Sequence, residues 1–565
     1  MTWPDYVVLL GAILGIAVYG VWRSRKNRDL STYLKGAGDA NWLVIGLSVM
    51  ATQASAITFL STPGQGYDGG LGFVQNYFGA PFALILIAAV FLPIYRRLKV
   101  YTAYEFLGNR FDAKTRLLGA GLFLLNRGLG AGITIYAPAI VLSTVMGWRL
   151  DLTIIGSGLV VIAYTVSGGT DAVTHTQKYQ LAVVFAGMAA AFAVLISKLP
   201  ANVSTHDVFT VAGGFHKLQA VDFSFGFGKR YTFWSGMIGG LFLALSYFGT
   251  DQSQVQRYIS GASLRESRMG LMFNAVCKIP MQFFILLLGC YLFVFYQFAK
   301  PPVIFNETAW KQGLATASEA RLTELGRQFD AAHDEKRDAI GRWLDASHRA
   351  DASGVEASRV EAVAANAREE AARKDASKAL KDAGVKSSND ADYVFIRFIV
   401  RELPHGLIGL LMAAFFCAAL SSKAAELNAL GSTTTIDVYR HLVKGDDAHY
   451  YKASRLFTVF WGVLAIGFAL FANLSENLIQ ATNILGSIFY GVILGIFLGA
   501  FFFKRIKGTA IFFGAIVAQL CVFVCYFRLG ETITYLWYNV IGCALCLAFA
   551  GCLQALLNQR KEMAA

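Results

Sequence analysis

Apolar runs of membrane-spanning length recur along nearly the whole chain, and they decide the fold class before any motif is read. They lie near residues 5–22, 40–62, 72–97, 116–145, 151–169, 177–199, 231–258, 269–299, 403–439, 453–473, 477–503, 508–528 and 532–556, about 13 in all. Crossing a bilayer takes about 20 predominantly apolar residues. In hydrocarbon only helices and closed barrels satisfy every backbone donor and acceptor. Runs this long predict an all-α polytopic membrane protein embedded in the lipid bilayer, with the longest spans tilted, broken or extended past it. Mean hydropathy is +0.49 and hydrophobic residues make up 55% of the chain, as such a class requires.

The formal charge of +13 would suggest nucleic acid if it were spread over a soluble surface. Here it collects in alternate loops: Arg23, Arg25, Lys26 and Arg28; Arg96, Arg97 and Lys99; Arg257, Arg265 and Arg268; Arg440 and Lys444; Lys504, Arg505 and Lys507; Arg560 and Lys561. By the positive-inside rule these loops face the cytoplasm, so no nucleic-acid partner is implied. The expected arrangement is a cell-membrane protein with its N-terminus outside and its C-terminus inside, as an odd number of spans demands. The first run lacks a basic leader and a small-residue cleavage motif, and reads as a signal anchor. All eight cysteines fall in or near spans, and Cys543 and Cys546 read as packing rather than as a redox or metal pair.

Residues 300–392 break the pattern. They are polar, rich in Ala, Glu, Asp, Lys and Arg, and free of proline between Pro302 and Pro404. Apolar residues at helical spacing (Ala339, Ile340, Trp343, Leu344, Ala346) predict a helical hairpin inserted on the extracytoplasmic side, with partial disorder as the alternative. No Walker motif, kinase signature or HExxH helix is present, which speaks against an ATP-driven pump and against an enzyme.

Three spans carry polar clusters. In 403–440, Ser421 and Ser422 stand side by side, followed by Lys423, Glu426, Asn428 and Ser432 to Thr435. Paired hydroxyls near backbone carbonyls suit an alkali cation. Hydrogen-bonded helix–helix packing is the competing reading. The second span carries Thr52, Gln53, Ser55 and Thr58 at its centre, as expected of a helix that unwinds midway and shows its ends to ligands. The seventh carries Thr250, Asp251, Gln252, Ser253 and Gln254 in its second half. Spans two and seven are five apart, which predicts two five-helix repeats of inverted topology, each opening with a broken helix. Arg127 and Lys278 place cations inside spans, where charge is costly and marks function by default. Arg127 reads either as a carboxylate anchor for a ligand or as the partner of a protein carboxylate. Lys278 reads either as a ligand contact or as a snorkelling side chain.

With SVMATQASAITFLSTPGQGYDGGLGF, SGGTDAVTHTQKYQ, GTDQSQVQRYISG and AALSSKAAELNALGSTTTIDVYR in this order, the chain resembles the sodium:solute symporter family throughout except for 300–392. The resemblance implies a LeuT-like fold and sodium-driven import of a small-molecule solute by alternating access. It implies Na+ ligands at Ala51, Ala54 and Ala418 through carbonyls, and at Ser421 and Ser422 through hydroxyls. It implies substrate contacts at Gln53, Ser55, Thr58, Phe73, Tyr77, Arg127, Asp251, Lys278 and Gln480, with Tyr247 at the inner gate. The sugar carriers have Glu where this chain has Tyr77, so the resemblance does not preserve a sugar-binding pattern; Arg127, near where the family's sialic acid carriers hold a carboxylate, tilts the expectation toward a small carboxylate, with a sugar-like compound still open. Asp171 matches a carboxylate of the family's second sodium site, but Ala424 and Ala425 replace its hydroxyls, so one sodium per cycle is expected. The rival reading is a transporter-like membrane sensor that binds a solute without accumulating it.

The expected organisation is a peripheral helix and loop over 1–39, the first repeat and the start of the second over 40–299, the insertion over 300–392, the rest of the second repeat over 393–506, and peripheral helices over 507–565.

Overall fold

The computed structural model describes residues 2–24, 40–98, 102–316, 318–385, 389–471 and 476–563. Arg25, Lys26, Arg28, Lys99 and the side chain of Asp171 lie outside what is described. The described residues are helical, with no strand beyond an isolated bridge between Ala40 and Gly261. The principal helices are α1 (Trp3–Ser24), α2 (Trp42–Gln53), α3 (Ala56–Gly69), α4 (80–98), α5 (Ala113–Met146), α6 (Leu150–Val166), α7 (Gln180–Ser197), α8 (Ser235–Thr250) and α9 (Gln252–Ile259). They continue with α10 (Leu264–Phe298), α11 (Glu319–His348), α12 (Ala352–Asp382), α13 (Ala391–Glu402), α14 (Leu407–Leu442), α15 (Asp447–Phe471), α16 (Leu478–Phe502), α17 (Gly508–Leu529) and α18 (Tyr535–Met563).

Among the described residues nine helices are long and apolar enough to cross a membrane, one of them running unbroken in composition from Ala56 to Leu98. Three shorter apolar helices, α2, α6 and α8, join them. Thirteen crossings therefore remains an expectation.

The two breaks are local events with local causes. At the first, Ala54 leaves the helix at φ −82°, ψ 63°, and Ser55 is extended at φ −71°, ψ 177° before α3 begins. The last carbonyls of α2 and the first N–H groups of α3 lose their intrahelical partners there. At the second, Asp251 is extended at φ −77°, ψ 121° and caps α9, its carboxylate accepting from the Ser253 N–H at 2.9 Å and the Ser253 hydroxyl at 2.6 Å. Aspartate is a strong N-cap, so the residue that ends α8 also starts α9.

One face of the bundle carries the insertion. There the Tyr6 hydroxyl donates to Val145 O at 3.1 Å, Lys198 pairs with Glu402 at 3.3 Å, and Asp5 accepts from the Gly406 N–H at 2.6 Å. These contacts gather the start of α1, the ends of α5 and α7, and the start of α14. The insertion is a hairpin of α11 and α12 that closes at one end on Leu322, Leu325, Ala376, Ala379 and Leu380, while Ala339, Ile340 and Ala362 join the core of the bundle. Its Trp343 packs on Phe215, with ring centroids 6.2 Å apart. Below it, α13 lies so close to α3 that a methyl on Gly64 would strike the carbonyl oxygen of Ala391.

Candidate functional site

Two cavities meet the first break from opposite ends. The smaller is lined by Ala51, Ala54, Ala418 and Ser421, together with Phe59, Gln177, Gln180, Leu181 and Val184. Four of the five residues expected to hold sodium therefore share one wall. The C-terminal end of α2 borders this space through Ala51 and Ala54, and a helix C-terminus carries partial negative charge that favours a cation. The Ser421 hydroxyl has Gln180 Oε1 at 2.6 Å and Cys417 O at 2.9 Å as acceptors for its one proton, and a hydroxyl that donates keeps lone pairs for a cation. Ser422 is the fifth and does not line the cavity: its hydroxyl turns back to Ala419 O at 3.2 Å. The polar side chains that do face the space, Gln177 and Gln180, went unassigned in the sequence. They are neutral amides, and Gln177 is tied to α2 by the Ser48 hydroxyl at 2.8 Å.

The larger cavity, of about 100 Å³, lies at the other side of the break, where the N-terminal end of α3 contributes Ser55 and Thr58. A helix N-terminus favours an anion. Of the expected substrate residues, Gln53, Ser55, Thr58, Tyr77, Arg127, Tyr247 and Lys278 line it. Phe73, Asp251 and Gln480 do not. Phe73 stacks behind Tyr77 and Tyr231, at centroid distances of 5.8 and 5.1 Å. Gln480 sits toward the insertion face, where its amide donates to Gln65 Oε1 at 2.5 Å and its carbonyl accepts from Arg230 at 3.1 Å. Asn477 joins the same Gln65 oxygen at 2.7 Å, so these side chains fasten the end of α3 to the start of α16.

The two intramembrane cations turn out differently. Arg127 Nε donates to Asp251 Oδ2 at 2.6 Å and its Nη1 to Glu426 Oε1 at 3.2 Å, with the guanidinium 5.0 Å from the Tyr247 ring centroid. Asp251 also accepts from the Tyr490 hydroxyl at 2.8 Å, and Glu426 from the Thr134 hydroxyl at 3.2 Å and from Lys423. Arg127 and Lys423 against Asp251 and Glu426 make a neutral quartet. Of the two sequence readings for Arg127, the pair with a protein carboxylate is the one formed. Among the described residues Lys278 has no carboxylate partner. Its side-chain nitrogen lies 4.8 Å from the Tyr77 ring centroid, and the residue is 2% exposed, which is burial and not snorkelling. The cavity wall thus holds one lysine nitrogen with no described carboxylate beside it.

Asn76, Asn126, Thr134, Glu426, Asn483 and Tyr490 complete the polar wall and were not assigned from sequence. Asn126 Nδ2, Arg127 Nη2 and Asn483 Nδ2 are buried donors without a protein partner, and Gln53 Oε1 is a buried acceptor without one. An asparagine inside an apolar span was the available signal for Asn126 and Asn483.

Comparison with known proteins identifies the family and the fold. The chain is 26% identical to the sodium/sialic acid symporter SiaT of Proteus mirabilis, over 98% of this chain and 94% of that one. It is 28% identical to the mouse sodium-coupled monocarboxylate transporter 1, over 87% and 68%. A solved Na+-coupled sialic acid symporter, in a substrate-bound outward-open state, superposes with a TM-score of 0.73 at 24% identity over 98% of both chains, which shows the LeuT-like fold. The profile of the sodium:solute symporter family matches residues 33–310 and 374–518, and the gap between them falls on the α11–α12 hairpin. The chain belongs to the sodium:solute symporter family.

Proposed function

We propose that this protein imports a small carboxylate monoanion together with one sodium ion. Sodium-coupled symport comes with the family. The anionic substrate rests on Lys278, a buried lysine in the wall of the larger cavity with no carboxylate beside it among the described residues, while Arg127 is already paired with Asp251 and Glu426. Burying a charge costs several kcal/mol unless it is paired, so a substrate carboxylate at Lys278 supplies what the protein does not. The names of the similar proteins, a sialic acid symporter and a monocarboxylate transporter, support an acid as cargo.

A single sodium is supported by the donor set at the smaller cavity. Ser421 and the end of α2 offer oxygens for one ion, Ala424 and Ala425 offer no hydroxyls, and the added side chains are the amides of Gln177 and Gln180 and not carboxylates. In this mechanism sodium bridges the end of α2 to α14, fixing the break in α2–α3. The N-terminal end of α3 is then held facing the larger cavity, where Ser55, Thr58 and Lys278 receive the carboxylate. Ion and substrate thus act on the two ends of one unwound segment, and each favours the geometry the other needs.

The test is uptake by proteoliposomes of matched anionic and neutral compounds with and without an inward sodium gradient. Sodium-driven accumulation of carboxylates, absent for their amides, is the expected result. Binding without accumulation would establish the sensor, and accumulation of the neutral amides alone would remove the role of Lys278.

A further inference from the structure

The neutral quartet joins the sodium helix to the substrate cavity, and two of its members have no role in the account above. Lys423 and Glu426 sit on α14 directly after Ser421 and Ser422. Lys423 is 2% exposed and ion-paired to Glu426, and Glu426 both lines the substrate cavity and holds Arg127 at 3.2 Å. Arg127 in turn holds Asp251, the cap of the second broken helix, at 2.6 Å. Gln256 on α9 adds a bond to Ala425 O at 3.4 Å. The turn of α14 next to the sodium ligands is therefore fastened to α5, to both halves of the second break and to the cavity wall.

We propose that Lys423 and Glu426 are positioning residues that set sodium affinity electrostatically and pass sodium occupancy to the substrate cavity. This rests on the sodium reading of the smaller cavity. As built, the quartet carries no net charge. Glu426→Gln leaves Arg127 and Lys423 against Asp251 alone, one positive charge in excess. Lys423→Gln leaves one negative charge in excess. Ser421 and Glu426 are five residues apart, about 7.5 Å of helical rise. At that range an uncompensated charge in a medium of effective dielectric ~20 shifts a cation's midpoint by roughly fortyfold.

The two single variants therefore act in opposite directions. In sodium titrations of the purified full chain, with choline replacing sodium and thermal stability as the readout, Glu426→Gln raises the sodium midpoint by roughly tenfold or more. Lys423→Gln lowers it by a similar factor. The double variant Glu426→Gln/Lys423→Gln restores charge balance and returns the midpoint to within about threefold of the parent chain. Side chains that only hold helices together would weaken sodium binding in both single variants and more so in the double. That pattern, or midpoints that do not move, overturns the proposal. A parent chain with no sodium-dependent stabilisation defeats the sodium reading itself, a result separable from the behaviour of the variants.

Discussion

Removing the Ser421 hydroxyl tests the smaller cavity most sharply. Ser421 is 1% exposed and is the hydroxyl that faces the same space as Ala51, Ala54 and Ala418. A hydrogen-bond-sized contact to a charged partner is worth about 1.5–3 kcal/mol net, and each ~1.4 kcal/mol is tenfold in affinity. Ser421→Ala also leaves Gln180 Oε1 without its donor, while Gln180 Nε2 already lacks a partner. The expected outcome is a sodium midpoint for uptake raised about ten- to hundredfold, with the protein still inserting and folding. Ser422→Ala is the internal control. Its hydroxyl turns to Ala419 O, so its midpoint moves by less than that of Ser421→Ala. The assay is initial-rate uptake into proteoliposomes across a sodium series at constant ionic strength. Equal midpoints in Ser421→Ala and the parent chain would refute the assignment of this cavity to sodium, and a larger effect from Ser422 would move the ion to the other side of α14.

Other expectations follow from particular contacts. Lys278→Met should raise KM for a carboxylate substrate about ten- to hundredfold while leaving sodium-dependent stabilisation in place, as read by uptake kinetics beside thermal titrations. Gly64→Ala should cost on the order of 1–3 kcal/mol by forcing α13 off α3, visible as a lower melting temperature. In the hairpin, burial pushes the Glu369 carboxyl up, but His333, Lys336 and Arg373 outweigh it and hold it below the ordinary carboxylate value. A depressed folded value means stability that is present above the unfolded value of about 4.3 and lost as pH falls through the folded one. The amide-exchange protection of α11 and α12, corrected for the intrinsic pH dependence of exchange, should therefore be flat near neutrality and fall in acid below about pH 4, and protection that increases on acidification would contradict this.

The all-helical class and both breaks were legible because each has a local cause. Apolar length announces a crossing, and hydroxyls, amides or an aspartate at the centre of such a run announce the point where it unwinds. Ser55 and Asp251 fall at the two breaks. The hairpin was legible for the same reason, since the stripe around Ala339, Ile340 and Trp343 repeats at helical spacing and is buried. What could not be read locally was pairing. Arg127 meets Asp251 across 124 positions and Glu426 across 299. Nothing in the neighbourhood of either cation says that Arg127 is neutralised and Lys278 is not, so the two were indistinguishable as anion anchors. Gln480 illustrates the same limit: its side chain reaches Gln65, 415 positions away, and fastens helix ends instead of facing the cavity. Ser422, adjacent to Ser421, differs from it only by the rotation of one residue around α14.

The most direct test of the whole account is sodium-driven uptake under a clamped membrane potential. One sodium carried with one monoanion moves no net charge. A tenfold sodium gradient, worth about 1.4 kcal/mol, should then concentrate the carboxylate about tenfold whether the potential is zero or 100 mV. A second sodium, or a neutral substrate, would add about 2.3 kcal/mol per 100 mV. Accumulation of a carboxylate that follows the sodium gradient and ignores the potential is the predicted result. Accumulation that rises severalfold with an inside-negative potential, or that persists without sodium, would contradict it.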